Sequence, residues 1–144
     1  MEEAANYSYE DLEVGKVVSF KKNLTQNEIN DFAKIIGDYN PLHVDPNYAS
    51  KTQFKKNIAH GMLVASYFST LFGMVCPGKK NLFLSQSLNF KKPVFPNSEI
   101  IIKGEIKKKI DSIRALVIQT QIFVGEELVL DGEAMIKIID LENE

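Results

Sequence analysis

The stretch His60 to Val75, HGMLVASYFSTLFGMV, restricts the fold more than any other part of the chain. It contains no Asp or Glu, and apolar residues run nearly all the way round its helical projection. A helix of that kind is expected to be covered on all sides. Ser66, Ser69, Thr70 and Gly73 interrupt it, and it is too short to span a membrane. Cys76-Pro77-Gly78 ends it. The rest of the chain must therefore supply a wrapping layer. At 144 residues and 44% apolar, the chain is the right size to do so as one domain over 1–144.

The second half has the pattern of such a layer. Leu82 to Phe90 reads as a strand, followed by the proline-broken loop KKPVFPN. Glu99 to Ile110 places Ile100, Ile102, Ile106 and Ile110 with period two. Arg114–Val124 and Leu128–Ile138 are β-branched runs meeting at Gly125-Glu126, the mark of a hairpin. Val17 to Lys22 adds a short strand near the start. These features predict an α+β domain, an antiparallel sheet wrapped around a long central helix.

Between the first strand and the central helix lies TQNEINDFAKIIG. Thr25 and Glu28 have capping-box spacing, Ile29, Phe32, Ala33 and Ile36 follow at helical intervals, and Gly37 stands at the stop. The next residues, GDYNPLHVD, gather the chemistry. Asp38 faces the negative end of the helix dipole, where a cation would serve stability better. Pro41 stiffens the link from Asn40 to His43. A carboxylate and an imidazole held together can orient a water and move its protons, and burial is expected to make Asp38 the better base. The same residues also make an ordinary polar turn. Asp45 before Pro46 reads as the cap of a short helix reaching about Lys51.

His60-Gly61 opens the central helix with no Ser, Thr or Asp directly before it, and Asn57 is the nearest candidate cap. Unsatisfied N–H groups there would suit a substrate carbonyl, which Gly61 allows to approach closely. A water-capped helix end fits the pattern equally well. His60 reads either as a buried structural histidine or as a member of a site. Ser66 and Ser69 fit helix serines bonded to their own backbone. The spacing of His43, Asp45 and His60 matches no metal motif, so no metal is expected.

Composition narrows the function. A net charge of −2 gives no basic field for nucleic acid. One cysteine, Cys76, allows no internal disulfide, and the acidic start MEEAANYSYEDLEVG has no signal-peptide pattern, so a cytoplasmic location is expected.

GDYNPLHVD, HGMLVASYFSTLFG and SQSLNFKKPVF, taken in order, closely resemble the (R)-specific enoyl-CoA hydratases of the MaoC-like hydratase/dehydratase group. The similarity runs from DLEVG near the start to LDGEAMIKI near the end, with Tyr39 where phenylalanine is common. The resemblance implies a hot-dog fold, a homodimer, an acyl-CoA thioester substrate and no cofactor, CoA being part of the substrate. It implies Asp38 and His43 as the catalytic pair, Gly61 as the oxyanion-hole N–H, Asn40 as a residue fixing the motif and Ser69 as one lining or ordering the site. His60 and Met62 flank Gly61 as further site candidates. For the acyl chain, Met62, Leu63, Phe68 and Leu71 are candidates; for the CoA phosphates, Lys79-Lys80, Lys91-Lys92 and Lys107–Lys109. The alternatives are a hot-dog thioesterase, a dehydratase acting on acyl-carrier-protein thioesters, and a non-catalytic thioester-binding module. The lack of Asp or Glu in the central helix weighs against the thioesterase.

Overall fold

The computed structural model describes residues 2–139. Helix α1 (Gln26–Ile36) has both bonds of the expected capping box. The Thr25 hydroxyl accepts from the Glu28 N–H, and the Glu28 carboxylate accepts from the Thr25 N–H, each at 3.2 Å. Gly37 ends it in the left-handed region at φ +80°, where glycine carries no Cβ penalty.

The following segment folds more tightly than the sequence suggests. Asn40 caps a one-turn helix, α2 (Pro41–Val44), by accepting from the Leu42 N–H at 3.0 Å. Asp45 then caps α3 (Pro46–Ser50), accepting from the N–H groups of Asn47 and Tyr48. Pro41 and Pro46 occupy the first helical positions, where their missing N–H costs nothing.

The central helix α4 (Gly61–Thr70) continues into a π-helical turn, Leu71–Val75. Leu63, Val64, Phe68, Leu71 and Phe72 are buried in the main core. The expectation of burial all round does not hold for the single chain. Met62, Ser66 and Ser69 form an exposed stripe at helical spacing, with Met62 58% exposed. The apolar count was high enough to hide this stripe, because two of its members are serines.

Among the described residues, six strands form one antiparallel sheet: β1 (Val17–Leu24), β2 (Asn81–Gln86), β3 (Asn89–Phe90), β4 (Ser98–Ile110), β5 (Ala115–Val124) and β6 (Glu127–Ile138). Their order is β1-β4-β5-β6-β2, with β3 also paired to β6. The inner face carries Ile100 and Ile102 of β4, Leu116 and Ile122 of β5, and Leu130 and Ile136 of β6, all buried with α4 in one core. At Gly104 the helix comes so close that an added Cβ would lie 3.1 Å from Leu71. An antiparallel sheet curled round a central helix is the hot-dog arrangement.

The single strand expected over Leu82–Phe90 is two. Its register slips between Phe83 and Ser85, and the link to β3 lies directly on Gly132, where a Cβ would come within 1.8 Å of the Ser87 carbonyl oxygen. This bend carries Phe90 across to pair with Leu130.

Candidate active site

His43 sits on α2 with its ring half-buried. Its Nδ1 lies 2.8 Å from the Ile58 carbonyl oxygen. A carbonyl can only accept, so Nδ1 carries the proton and Nε2 presents its lone pair. Asn57 holds the local frame by donating to the carbonyls of Leu42 (2.9 Å), Asp45 (3.2 Å) and Pro41 (3.3 Å). It ties α2 to α3 and does not cap α4, as its position in the sequence had suggested.

Asp38 lies just past the end of α1. Its Oδ1 accepts from the Asn40 N–H at 3.1 Å, and its Oδ2 lies 3.9 Å from His60 Nε2. The expected burial of Asp38 is not found, since its side chain is 47% exposed in the single chain. The cause is the path of the backbone, which runs over the surface from Gly37 to Pro41. The backbone N–H of Asn40 donates to Asp38 while its side-chain oxygen caps α2.

His60 is the last residue before α4 and is buried, at 3% exposure. Its side chain makes no capping bond, so the start of α4 is open, as the sequence indicates. The Val64 N–H reaches back to the His60 carbonyl at 3.2 Å. Gly61 follows, and an added Cβ would meet the Phe90 ring at 2.8 Å.

His43 and Gly61 line one cavity of about 420 Å³. Its walls are largely apolar: Phe54, Ile58, Val64, Phe90, Val94, Val129 and Leu130. Lys91 and Lys92 also line it, in loose ion pairs with Asp131 (3.9 Å) and Glu127 (3.8 Å). The other expected cations are elsewhere. Lys79 pairs with Glu3, Lys107 with Glu105, and Lys109 donates to the carbonyls of Tyr9 and Leu12.

Met62 and Ser69 do not join this cavity within one chain. They line a second, apolar groove of about 600 Å³ with Phe32, Ile36, Phe83 and Leu88. Helical spacing explains the division. Gly61 and Val64 are three apart and share a face, while Met62, Ser66 and Ser69 share another. The acyl-chain candidates Leu63, Phe68 and Leu71 are core residues. Val64 was legible from its spacing to Gly61. Phe90 and Leu130 were not, because their meeting depends on the β3–β6 pairing.

One ligating atom each from Asp38, His43 and His60 lie within 4.8 Å of one another. The two rings are stacked, with centroids 3.9 Å apart and planes at 29°. Stacked rings send their lone pairs side by side, whereas a tetrahedral metal needs them to converge at about 2.0–2.1 Å. Two of the four ring nitrogens are also engaged by the carbonyls of Ile58 and Asp38. The cluster is better suited to holding and moving protons than to chelating a cation.

Residues 11–125 match the model of the MaoC like domain. The chain belongs to this MaoC-like family. It is 40% identical over 132 residues to the (R)-specific enoyl-CoA hydratase of Aeromonas caviae, covering 91% of this chain and 98% of the relative. It is 38% identical over 130 residues to the 3-hydroxybutyryl-CoA dehydratase of Methylorubrum extorquens, covering 90% and 83%. Its structure superposes on an R-hydratase from Pseudomonas aeruginosa in the unliganded form with a TM-score of 0.91 at 33% identity, over 95% of this chain and 88% of that one. The MaoC-like domain thus spans most of the chain, and its matched range contains Asp38, His43 and Gly61. Among the described residues, no helix is long and apolar enough to cross a membrane.

Proposed function

We propose that this MaoC-like protein catalyses the reversible hydration of a trans-2-enoyl-CoA to the (3R)-3-hydroxyacyl-CoA. The observation that carries the proposal is the convergence of the Asp38 carboxylate, the His43 imidazole and the open start of α4 beside one apolar cavity. Two of the relatives are named for this chemistry, one as an (R)-specific enoyl-CoA hydratase and one as a 3-hydroxybutyryl-CoA dehydratase.

The reaction sets three demands. A water O–H bond breaks as its oxygen bonds to C3, a proton is delivered to C2, and negative charge grows on the thioester oxygen between the two events. The Asp38–His43 pair takes the proton from water and returns it to C2. The Gly61 N–H, at the positive end of α4, receives the charged oxygen. That bond strengthens as the oxygen becomes anionic, so it favours the transition state over the substrate. Adding H and OH across C2=C3 involves no net oxidation or reduction, so the proposed hydration calls for no redox cofactor. CoA enters as part of the substrate, and Lys91 and Lys92, which line the cavity, are the cations we assign to its phosphates.

The same reading includes a homodimer. The groove containing Met62 and Ser69 is apolar, and β2 ends the sheet with Leu82 and Leu84 each 45% exposed. A second copy would cover both and place Ser69 at a shared boundary. Light scattering should give twice the chain mass; a monomer would refute this part.

The deciding experiment is a crotonyl-CoA assay. Loss of enoyl absorbance with the thioester intact, and an R product on chiral analysis, is the expected result. Release of free thiol would instead identify a thioesterase, and faster turnover of carrier-protein thioesters would reassign the carrier.

A further inference from the structure

His60 touches both members of the proton-handling pair, and of the three only His43 lines the cavity. Its Nε2 lies 3.0 Å from the Asp38 carbonyl oxygen, and its ring stacks on His43 with centroids 3.9 Å apart. It also meets Phe32 of α1 in an edge-to-face contact, with centroids 5.1 Å apart and planes at 67°. The tautomer follows from the partners. A carbonyl only accepts, so Nε2 holds the proton, and the buried Nδ1 has no hydrogen-bond partner.

From this geometry we infer that His60 is a positioning residue for the proposed hydration, fixing the distance between Asp38 and His43 from behind. Asp38 and His43 come from different elements, the end of α1 and the turn of α2, and the link between them runs over the surface. His60 is the buried group that joins the two directly. Its N–H holds the backbone of Asp38, and its flat face holds the plane of His43. The titratable groups in contact with it are these two; Phe32 carries no charge. A proton relay needs its partners placed to within a fraction of an ångström, and a shift of about 1 Å costs on the order of a hundredfold. An unpartnered buried Nδ1 is an energetic cost that a purely structural apolar residue at position 60 would avoid.

The proposal rests on the hydratase reading, and the test separates the two. Crotonyl-CoA hydration is measured on the wild type, His60→Gln, His60→Leu, Asp38→Asn and the double variant His60→Leu/Asp38→Asn. An inactive wild type would refute the hydratase reading itself. With an active wild type, His60→Leu should lose about ten- to a hundredfold in kcat with KM changed less than about twofold. His60→Gln, which keeps an N–H donor near the Nε2 position, should recover a substantial part of that loss. In the Asp38→Asn background the leucine substitution should cost less than about twofold, because a residue acting through the pair loses its effect when the pair is broken. A purely structural role would give the same factor in both backgrounds, and that result would overturn the proposal. Nitrogen-15 NMR of the histidines gives an independent readout in the wild type. In the neutral rings, Nε2-protonated His60 and Nδ1-protonated His43 are expected, and a Nδ1-protonated His60 would overturn the proposal.

Discussion

Helices α1 and α4 begin in opposite ways. Helix α1 closes its own start, with Thr25 and Glu28 exchanging bonds with each other's backbone. Helix α4 begins at His60, whose side chain turns away to Asp38 and His43, and Gly61, the first residue of the helix, lines a cavity. The start of α3 resembles α1, with Asp45 filling the cap. A helix N-terminus carries about half a positive charge and unsatisfied donors, which are normally quenched by the nearest Ser, Thr, Asp or Asn. Quenching α4 in this way would have been easy for the sequence. Leaving it open makes sense when a ligand oxygen takes the place of the cap.

The harshest test of this contrast removes the proton handlers beside the open end. Asp38→Asn and His43→Ala should each lower hydration turnover by at least about a hundredfold, the scale of general acid–base catalysis. Circular dichroism should stay near that of the wild type, because both side chains are at least partly exposed. Near-normal rates would leave the open helix start without its chemistry.

The next test acts on the amide itself. Gly61→Pro deletes the N–H while keeping a residue suited to the first helical position, and His60 at ψ 133° already has the backbone that precedes proline. Gly61→Ala keeps the N–H and adds the same Cβ, 2.8 Å from the Phe90 ring. Their ratio therefore cancels the Cβ contact with Phe90 and leaves the loss of the N–H together with the proline ring carbon that replaces its hydrogen. Proline should be about a hundred- to a thousandfold slower in kcat than alanine. Equal rates would mean that the charged oxygen is held elsewhere.

How far the sequence discloses these features differs between the two helix starts. The capping box of α1, the glycine stop at Gly37 and the Asp45 cap are local, and each was readable within a few residues. The lack of a cap on α4 was readable in the same way. The contact of Phe90 with Gly61 was not, because it depends on a bend at Gly132 and on strand pairing across about forty positions. The exposed stripe of α4 was missed for a different reason. Its serines and one methionine look unremarkable in an apolar run, and only the fold shows that the sheet covers one side. Asp38 was expected to be buried, yet in the single chain its side chain is 47% exposed, because the backbone there runs over the surface.

On the closed side of the contrast, the expected effects are on stability alone. Thr25→Ala removes one capping oxygen from α1 and should cost about 1 kcal/mol in denaturant unfolding, with kcat unchanged. A loss of turnover without a loss of stability would show that α1's cap also serves the site.

The smallest effect concerns the other half of that cap. Burial works against the Glu28 carboxylate, but its ion pair with Lys22 at 2.6 Å and its bonds from Thr25 outweigh burial and hold its pKa below the ordinary value of 4.5. Glu28 in turn faces Tyr67 of α4, whose hydroxyl is pushed up to about 12 by burial and by the Glu28 charge. The folded state therefore favours the ionised carboxylate. Its contribution is fully present above the unfolded value and disappears as pH falls through the lower folded value. Urea midpoints measured from neutrality down through the glutamate range should fall less steeply in Glu28→Gln than in the wild type. At neutral pH the variant should be modestly less stable, and the two should converge in acid. Turnover at neutral pH should be unchanged, because the start of α1 has no part in the reaction. Parallel midpoint curves would mean that the Lys22–Glu28 pair, with side chains 34% and 32% exposed, is too well screened to stabilise the helix start.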